Sequence, residues 1–245
     1  MKLSILGSSS SGNGYILQNR SEALMIESGM RFKIVEKAVD YEIQKIKGCL
    51  ISHSHGDHSK YVSQVAASGI DIYTSKGTID ALSLSGRRIK QCRELEQFNV
   101  GNFLVTPFLI VHDAPEPLGF LINHPETGNV LFLTDTWFTQ YNFPDLSNII
   151  IECNYEDDIL QKNVDSGKIH QSVCDRVKQY HMSLSTLKRL LKANDLTSVN
   201  NIVLIHLSSN NSNETLFKQE IENVTGKTIT IAKPGIEIEF NKQPF

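Results

Sequence analysis

The chain has 245 residues, of which 40% are hydrophobic, enough for one α/β domain over residues 1–245 with a core that needs no disulfide staple. A net charge of −3 excludes a global attraction to nucleic acid or anionic membrane, so any polyanion has to be met by a local basic patch. The four cysteines (Cys49, Cys92, Cys153, Cys174) form no C-x-x-C pair, and no apolar run reaches the roughly 18 residues a membrane helix needs, so a cytoplasmic protein that avoids membranes is expected.

The chain opens on short strands, 2–6 and 15–19, around the polar loop "GSSSSGNG". The loop is flexible by composition, and its hydroxyls and glycines let backbone amides approach an anion. Ser9 and Asn13 are its candidate substrate contacts. A third apolar run covers 22–28, and the spacing of Ile34, Val35, Ala38 and Val39 predicts a helix over 30–40. A buried strand follows at 46–52, a helix at 60–68, a strand at 71–75, and a helix capped by Ser75. Residues 98–134 read as successive strands, with "PETGN" as a turn, and 146–153 as another buried strand. The pattern over 154–182 is weak and polar. Leu184, Leu187, Leu190 and Leu191 mark an amphipathic helix over 183–195. A strand covers 200–208, and a helix runs over 213–226 with Asn213 as N-cap and Gly226 as stop. Two strands close the chain around Pro234–Gly235.

The strand at 46–52 delivers "HSHGDH": His53, His55, Asp57 and His58 within six residues. Imidazole and carboxylate are the usual ligands of zinc and similar ions, and two ions a few Å apart use four such groups more readily than one does. Three further apolar runs end on a ligand-type residue: "FLIVH" at His112, "VLFLTD" at Asp135, and "IVLIH" at His206. Taken singly, either histidine is an ordinary surface or core residue, and Asp135 an ordinary turn residue. The recurrence after the H-x-H-x-D-H cluster points to a preorganised metal site on strand ends.

This order of motifs resembles the metallo-β-lactamase superfamily. The resemblance implies an αββα four-layer sandwich of two mixed β-sheets flanked by helices. It implies one divalent ion on His53, His55 and His112, a second on Asp57, His58 and His206, Asp135 between them, and a metal-bridging hydroxide as nucleophile. Zinc is the first expectation, with manganese and iron as alternatives. "GSSSSGN", "HDAPEPLGFLI", "TDT", "ECNYEDDIL", "HMS" and "HLSSNN" together resemble the YycJ/WalJ-type subgroup, which implies 5′→3′ exonuclease action on DNA. The His181–Ser183 pair resembles one in tRNA 3′-processing endonucleases. The chain departs from the family at Glu27, where an aspartate is usual, and at Tyr155, where a histidine is common.

The catalytic candidates are Asp57, also a ligand, and His181, as general acid or phosphate contact. Arg176 and Ser183 are candidate substrate contacts, alongside Ser9 and Asn13. Glu152 ends "NIIIEC" and is placed either to orient His181 or a ligand histidine, or to cap a turn. Residues 161–192 carry seven Lys and Arg against Asp165 and Asp175, and "GRRIKQCR" is a second basic cluster. Both suit the phosphates of a DNA backbone. The competing reading is a metal-dependent hydrolase of a small ester, thioester or lactone, and a third is a binding module that kept the fold without the chemistry.

Overall fold

Apolar runs with one buried face cannot be stable alone, so they pair edge to edge and then stack. The computed structural model describes residues 1–243. The first part of the chain supplies β1 (Lys2–Ser9), β2 (Gly12–Gln18), β3 (Ala23–Ile26), α1 (Phe32–Ala38), β4 (Ile46–Leu50), α2 (Gly56–Ser59), α3 (Val62–Ala67), β5 (Ile72–Ser75), α4 (Lys76–Ala81) and β6 (Ile89–Cys92). The rest supplies β7 (Phe98–Val100), β8 (Phe103–Leu109), β9 (Leu118–His124), β10 (Gly128–Leu133), β11 (Leu146–Glu152), α5 (Asp157–Asp165), α6 (Gln171–Tyr180), α7 (Leu184–Ala193), β12 (Asn201–Ile205), α8 (Glu214–Thr225), β13 (Thr228–Ile231) and β14 (Glu237–Glu239).

The strands form two seven-stranded sheets, in the orders β14-β1-β2-β3-β4-β5-β6 and β13-β12-β11-β10-β9-β8-β7. Each sheet is mixed. β1 to β3 pair antiparallel and β3 to β6 parallel, while β7 to β10 pair antiparallel and β10 to β13 parallel. Alternate residues of both sheets meet in a common core: Leu3, Ile5, Leu17, Leu24 and Ile26 from one, Val105, Phe120, Val130, Phe132 and Val203 from the other. The opposite face of the first sheet packs on Phe32, Val35, Val62 and Val65 of α1 and α3. That of the second packs Leu131, Leu133, Ile149 and Ile151 on Leu187, Leu191, Phe217 and Ile221 of α7 and α8. The result is the αββα sandwich.

Parallel strands finish at one edge of their sheet. The segments that follow β3, β4, β10, β11 and β12 therefore gather at common rims, and the polar clusters read from the sequence lie there.

Several elements differ from the sequence reading. The helix expected over 60–68 is α3, which begins at Val62, and a separate short helix, α2, precedes it inside the histidine cluster. The polar stretch 154–182 contains α5 and α6, each burying little: Leu160 in one and Cys174 in the other. The serine loop is a two-residue hairpin turn, with Ser9 paired to Gly12, and the strands run through most of it. "FLIVH" is not a strand to its end: β8 stops at Leu109, and His112 lies in the following loop. The "GRRIKQCR" cluster includes β6, an edge strand of the first sheet, and Arg88 just before it pairs with Asp71 at 2.9 Å. No helix among the described residues is long and apolar enough to cross a membrane.

Candidate metal centre

Six of the chain's eight histidines meet at the rim. β4 leads through Ser52 into His53, and His55 precedes α2, which carries Asp57 and His58. His112 comes from the loop after β8, held where Thr136 Oγ1 accepts the Val111 amide at 3.1 Å. Asp135 and His206 follow β10 and β12 in left-handed backbone conformations, φ 44° and 54°, as does Glu27 after β3 at φ 64°. Non-glycine residues there are strained, and three at one rim mark a place where side-chain aim outweighs backbone ease.

The ligand atoms converge. His55 Nδ1 is 3.2 Å from His53 Nε2 and 3.1 Å from His112 Nε2. Asp135 Oδ2 is 3.6 Å from His53 Nε2 and 3.5 Å from His112 Nε2. On its other side the same oxygen is 3.3 Å from His58 Nε2. Asp57 Oδ2 is 3.2 Å from His58 Nε2 and 3.4 Å from His206 Nε2. Four ligands about 2.05 Å from a shared zinc in tetrahedral geometry lie about 3.3 Å apart, so the spacings fit a cation in each group. The chemistry agrees. Ring nitrogens at such separations have too few protons and lone pairs to satisfy one another, and buried His112 Nδ1 and His58 Nδ1 make no hydrogen bond. Oxygen and imidazole donors suit zinc, manganese or iron.

A surrounding set of contacts aims these groups. Ser52 Oγ lies 2.8 Å from His53 Nδ1. Glu27 Oε1 lies 3.4 Å from His58 Nδ1, both side chains fully buried. Glu152 Oε1 sits 2.7 Å from His181 Nδ1 and 3.1 Å from His206 Nδ1. Its Oε2 accepts the amides of Thr136, at 3.2 Å, and Met182, at 3.0 Å. Thr134 donates to Asp135 Oδ1 at 2.9 Å. Ser8 Oγ accepts from the His206 amide and the Tyr15 hydroxyl, both at 2.9 Å. Gly29 allows the segment after β3 to press on α2. A Cβ there would stand 1.7 Å from the Asp57 carbonyl oxygen and 2.6 Å from the Asn13 nitrogen.

Electrostatics separate the groups. Burial and neighbouring His58 push His53 well below the ordinary histidine range, and burial lowers His112 against the pull of Asp135. Burial would also lower His58, but Asp135 and Glu27 outweigh it and raise the ring well above that range. His206 rises for the same reason, through Asp135. Burial works against ionising Asp57 and Asp135 too, yet their histidine partners hold both carboxyls below the usual carboxylate range. His181 is desolvated, but the Glu152 carboxylate raises it.

The sequence-derived substrate contacts fall in different places. Arg176 stands at the rim, bonded to Asp113 Oδ2 through Nε at 2.8 Å and Nη2 at 2.7 Å, and Asp113 Oδ1 is 3.3 Å from His112 Nε2. Asn13 is buried, with Nδ2 donating to Asp57 Oδ2 at 3.1 Å, so it steadies a ligand-type carboxylate. Ser9 is half-buried and accepts the Ser11 amide at 3.2 Å, within its own turn. Ser183 is 3% exposed and caps α7, its hydroxyl accepting the Thr186 amide at 3.1 Å. Sequence reasoning did not assign Ser8, Tyr15, Ser52, Thr134 or Asp113 a place here. Adjacency to His53, Asp135 and His112 was the only signal for three of them, and the other two signal nothing without the fold.

Residues 28–207 match the family described as beta-lactamase superfamily domain. Exodeoxyribonuclease YycJ of Bacillus anthracis is 23% identical over 239 residues, 91% of this chain and 89% of that protein. Exodeoxyribonuclease WalJ of Streptococcus pneumoniae serotype 2 (strain D39) is 25% identical over 189 residues, 70% of this chain and 69% of that one. The crystal structure of the metallo-beta-lactamase fold protein YhfI from Bacillus subtilis superposes with a TM-score of 0.71 at 18% identity, covering 97% of this chain and 99% of that one. With the match spanning most of the sandwich and the whole histidine cluster, the chain belongs to the β-lactamase superfamily and resembles its YycJ-type members.

Proposed function

We propose that the protein is a metal-dependent phosphodiesterase that removes nucleotides from DNA ends in the 5′→3′ direction. The observation that carries the hydrolase reading is the convergence of imidazole and carboxylate atoms into three groups that share Asp135: one with His53, His55 and His112, one with Asp57, His58 and His206, and one with Glu152, His181 and His206. In this reading His53, His55 and His112 would hold one divalent ion, zinc first among the candidates, and Asp57, His58 and His206 a second, with Asp135 available to either. Bound there, the ions would supply an activated water and positive charge for the oxygens of a phosphoryl group.

The chain's own residues do the rest. His181 Nδ1 is committed to Glu152, which leaves Nε2 free to face a substrate. The Glu152 carboxylate outweighs burial and raises the ring's pKa, which favours its protonated form. As water oxygen bonds to phosphorus and the bond to the departing strand breaks, His181 passes that proton to the leaving oxygen. Glu152 is held by two backbone amides and cannot swing away, so it fixes the ring's direction. Exposed Arg176, paired with Asp113 beside His112, is the basic side chain that would turn to the phosphate backbone as it enters. The exodeoxyribonuclease relatives support DNA as the polymer.

Digestion of end-labelled single- and double-stranded DNA and RNA, with zinc, manganese and iron supplied in turn, tests this reading. Release of nucleotides from 5′ ends of DNA is expected, with Arg176→Glu raising KM. Intact substrates of every end structure, or cleavage of a small ester that ignores Arg176→Glu, contradicts it.

A further inference from the structure

The structure has a cavity of about 430 Å³, in the range of ligand sites. One wall is the segment after Asp135, with Trp137, Phe138, Tyr141 and Asn142; the other is α7, with Arg189 and Leu190. Both walls leave from the rim. The first begins two residues beyond Asp135, and α7 follows His181 by three residues. Glu152 Oε2 ties them at that end by accepting the Thr136 and Met182 amides. Asn194 Oδ1 ties them at the far end by accepting the Phe143 amide at 2.9 Å. The cleft is thus fixed at both ends, and the Glu152 that ties its first end also faces His181 and His206.

Its lining is unusual for a surface. Trp137 and Phe138 are each 42% exposed, with ring centroids 5.5 Å apart at 36°. Tyr141 lies behind them, held edge-on to Phe108 at 5.5 Å. Across from them, exposed Arg189 is anchored by its Nη2 to Thr186 Oγ1 at 3.1 Å. Half-exposed aromatic rings that share a cavity with a guanidinium and an amide side chain are what a flat, polar-edged ring recognises. An aliphatic tail needs neither the guanidinium nor the amide.

We propose that this cleft takes one unpaired nucleobase, stacked on Trp137 and Phe138 under Arg189, while the phosphate of the same nucleotide lies at the metal centre. The proposal rests on the phosphodiesterase reading and names its substrate unit: a terminal nucleotide drawn out of the stack. Base stacking on an aromatic platform is insensitive to sequence, as suits an enzyme that degrades any strand.

Trp137 is the chain's one tryptophan, so its emission reports the cleft directly. The purified protein is titrated with deoxyadenosine monophosphate and, separately, with deoxyribose 5-phosphate; neither contains a diester to cut. The nucleotide is expected to quench Trp137 saturably and to bind about tenfold more tightly than the baseless sugar phosphate, which gives no quench. On DNA, Trp137→Ala is expected to raise KM about tenfold with kcat changed far less, and Trp137→Phe, which keeps a stacking face, to restore KM to within about threefold. Equal affinity for the two phosphates without quenching, in protein that cleaves DNA, overturns the cleft and leaves the metal reading intact. Base-dependent quenching in protein that cleaves no diester overturns the phosphodiesterase reading and leaves the cleft as a nucleotide site.

Discussion

Glu152 is the residue on which most depends and which the sequence marks least. One carboxylate faces two histidines and accepts two amides, all inside the fold. From the sequence it is only an acidic residue at the end of an apolar run, and choosing between orienting a histidine and capping a turn needed the neighbours. Removing such a partner of a ligand or acid histidine costs about 10–100-fold in activity or metal affinity. Glu152→Gln is therefore expected to lower kcat on DNA by about 10–100-fold while circular dichroism stays unchanged, and, if His181 is the acid as proposed, to move the alkaline limb of the pH profile to lower pH, because the carboxylate that raises the ring is gone. Acid stability follows from the same cluster. Asp57, Asp135 and Glu152 have pKa values below their unfolded ones, so their contribution is complete above about pH 4 and is lost as pH falls through the folded values. His53 and His112, also depressed, act in the same direction below about pH 6.5. In chelated protein the midpoint of thermal unfolding should fall with pH across both windows. Asp57→Asn should soften the fall below pH 4, and an unchanged slope would assign the acid limb elsewhere.

At the scale of elements, what periodicity can encode was readable. The leucine stripe of α7, the Asn213 cap and Gly226 stop of α8 at φ 64°, and Ser75 capping α4 lie where the sequence puts them. The helices α5 and α6 were not readable because each hides little apolar surface and leans on a small satellite core of Tyr155, Leu160 and Cys174. His112 illustrates the other limit. Its apolar run reads as a strand to the end, yet pairing with β9 stops at Leu109–Leu118 and the last residues bend toward Asp135. Ser183 belongs to this scale. As the N-cap of α7, Ser183→Ala is expected to cost about 1 kcal/mol of stability and to leave KM for DNA unchanged. A raised KM with unaltered stability would restore the hydroxyl to substrate binding.

Across the whole molecule, the two sheets make the site possible. β3 and β4 of one sheet and β10, β11 and β12 of the other end at a shared rim, and each contributes a group that the other sheet lacks. The order of ligand types along the chain made this fold legible, because histidine and aspartate spaced over more than a hundred and fifty residues serve one purpose only if the chain brings them together. The buried glutamates, the serines behind the rings and the aromatic cleft were not legible, since their meaning comes from neighbours distant in sequence. The central claim is that the rim holds two cations around Asp135. Elemental analysis of the purified protein beside its Asp135→Ala variant tests this most directly. Two divalent ions per chain, falling to one or fewer in the folded variant, is the predicted result; less than one ion per chain in the unaltered protein after metal supplementation would contradict it.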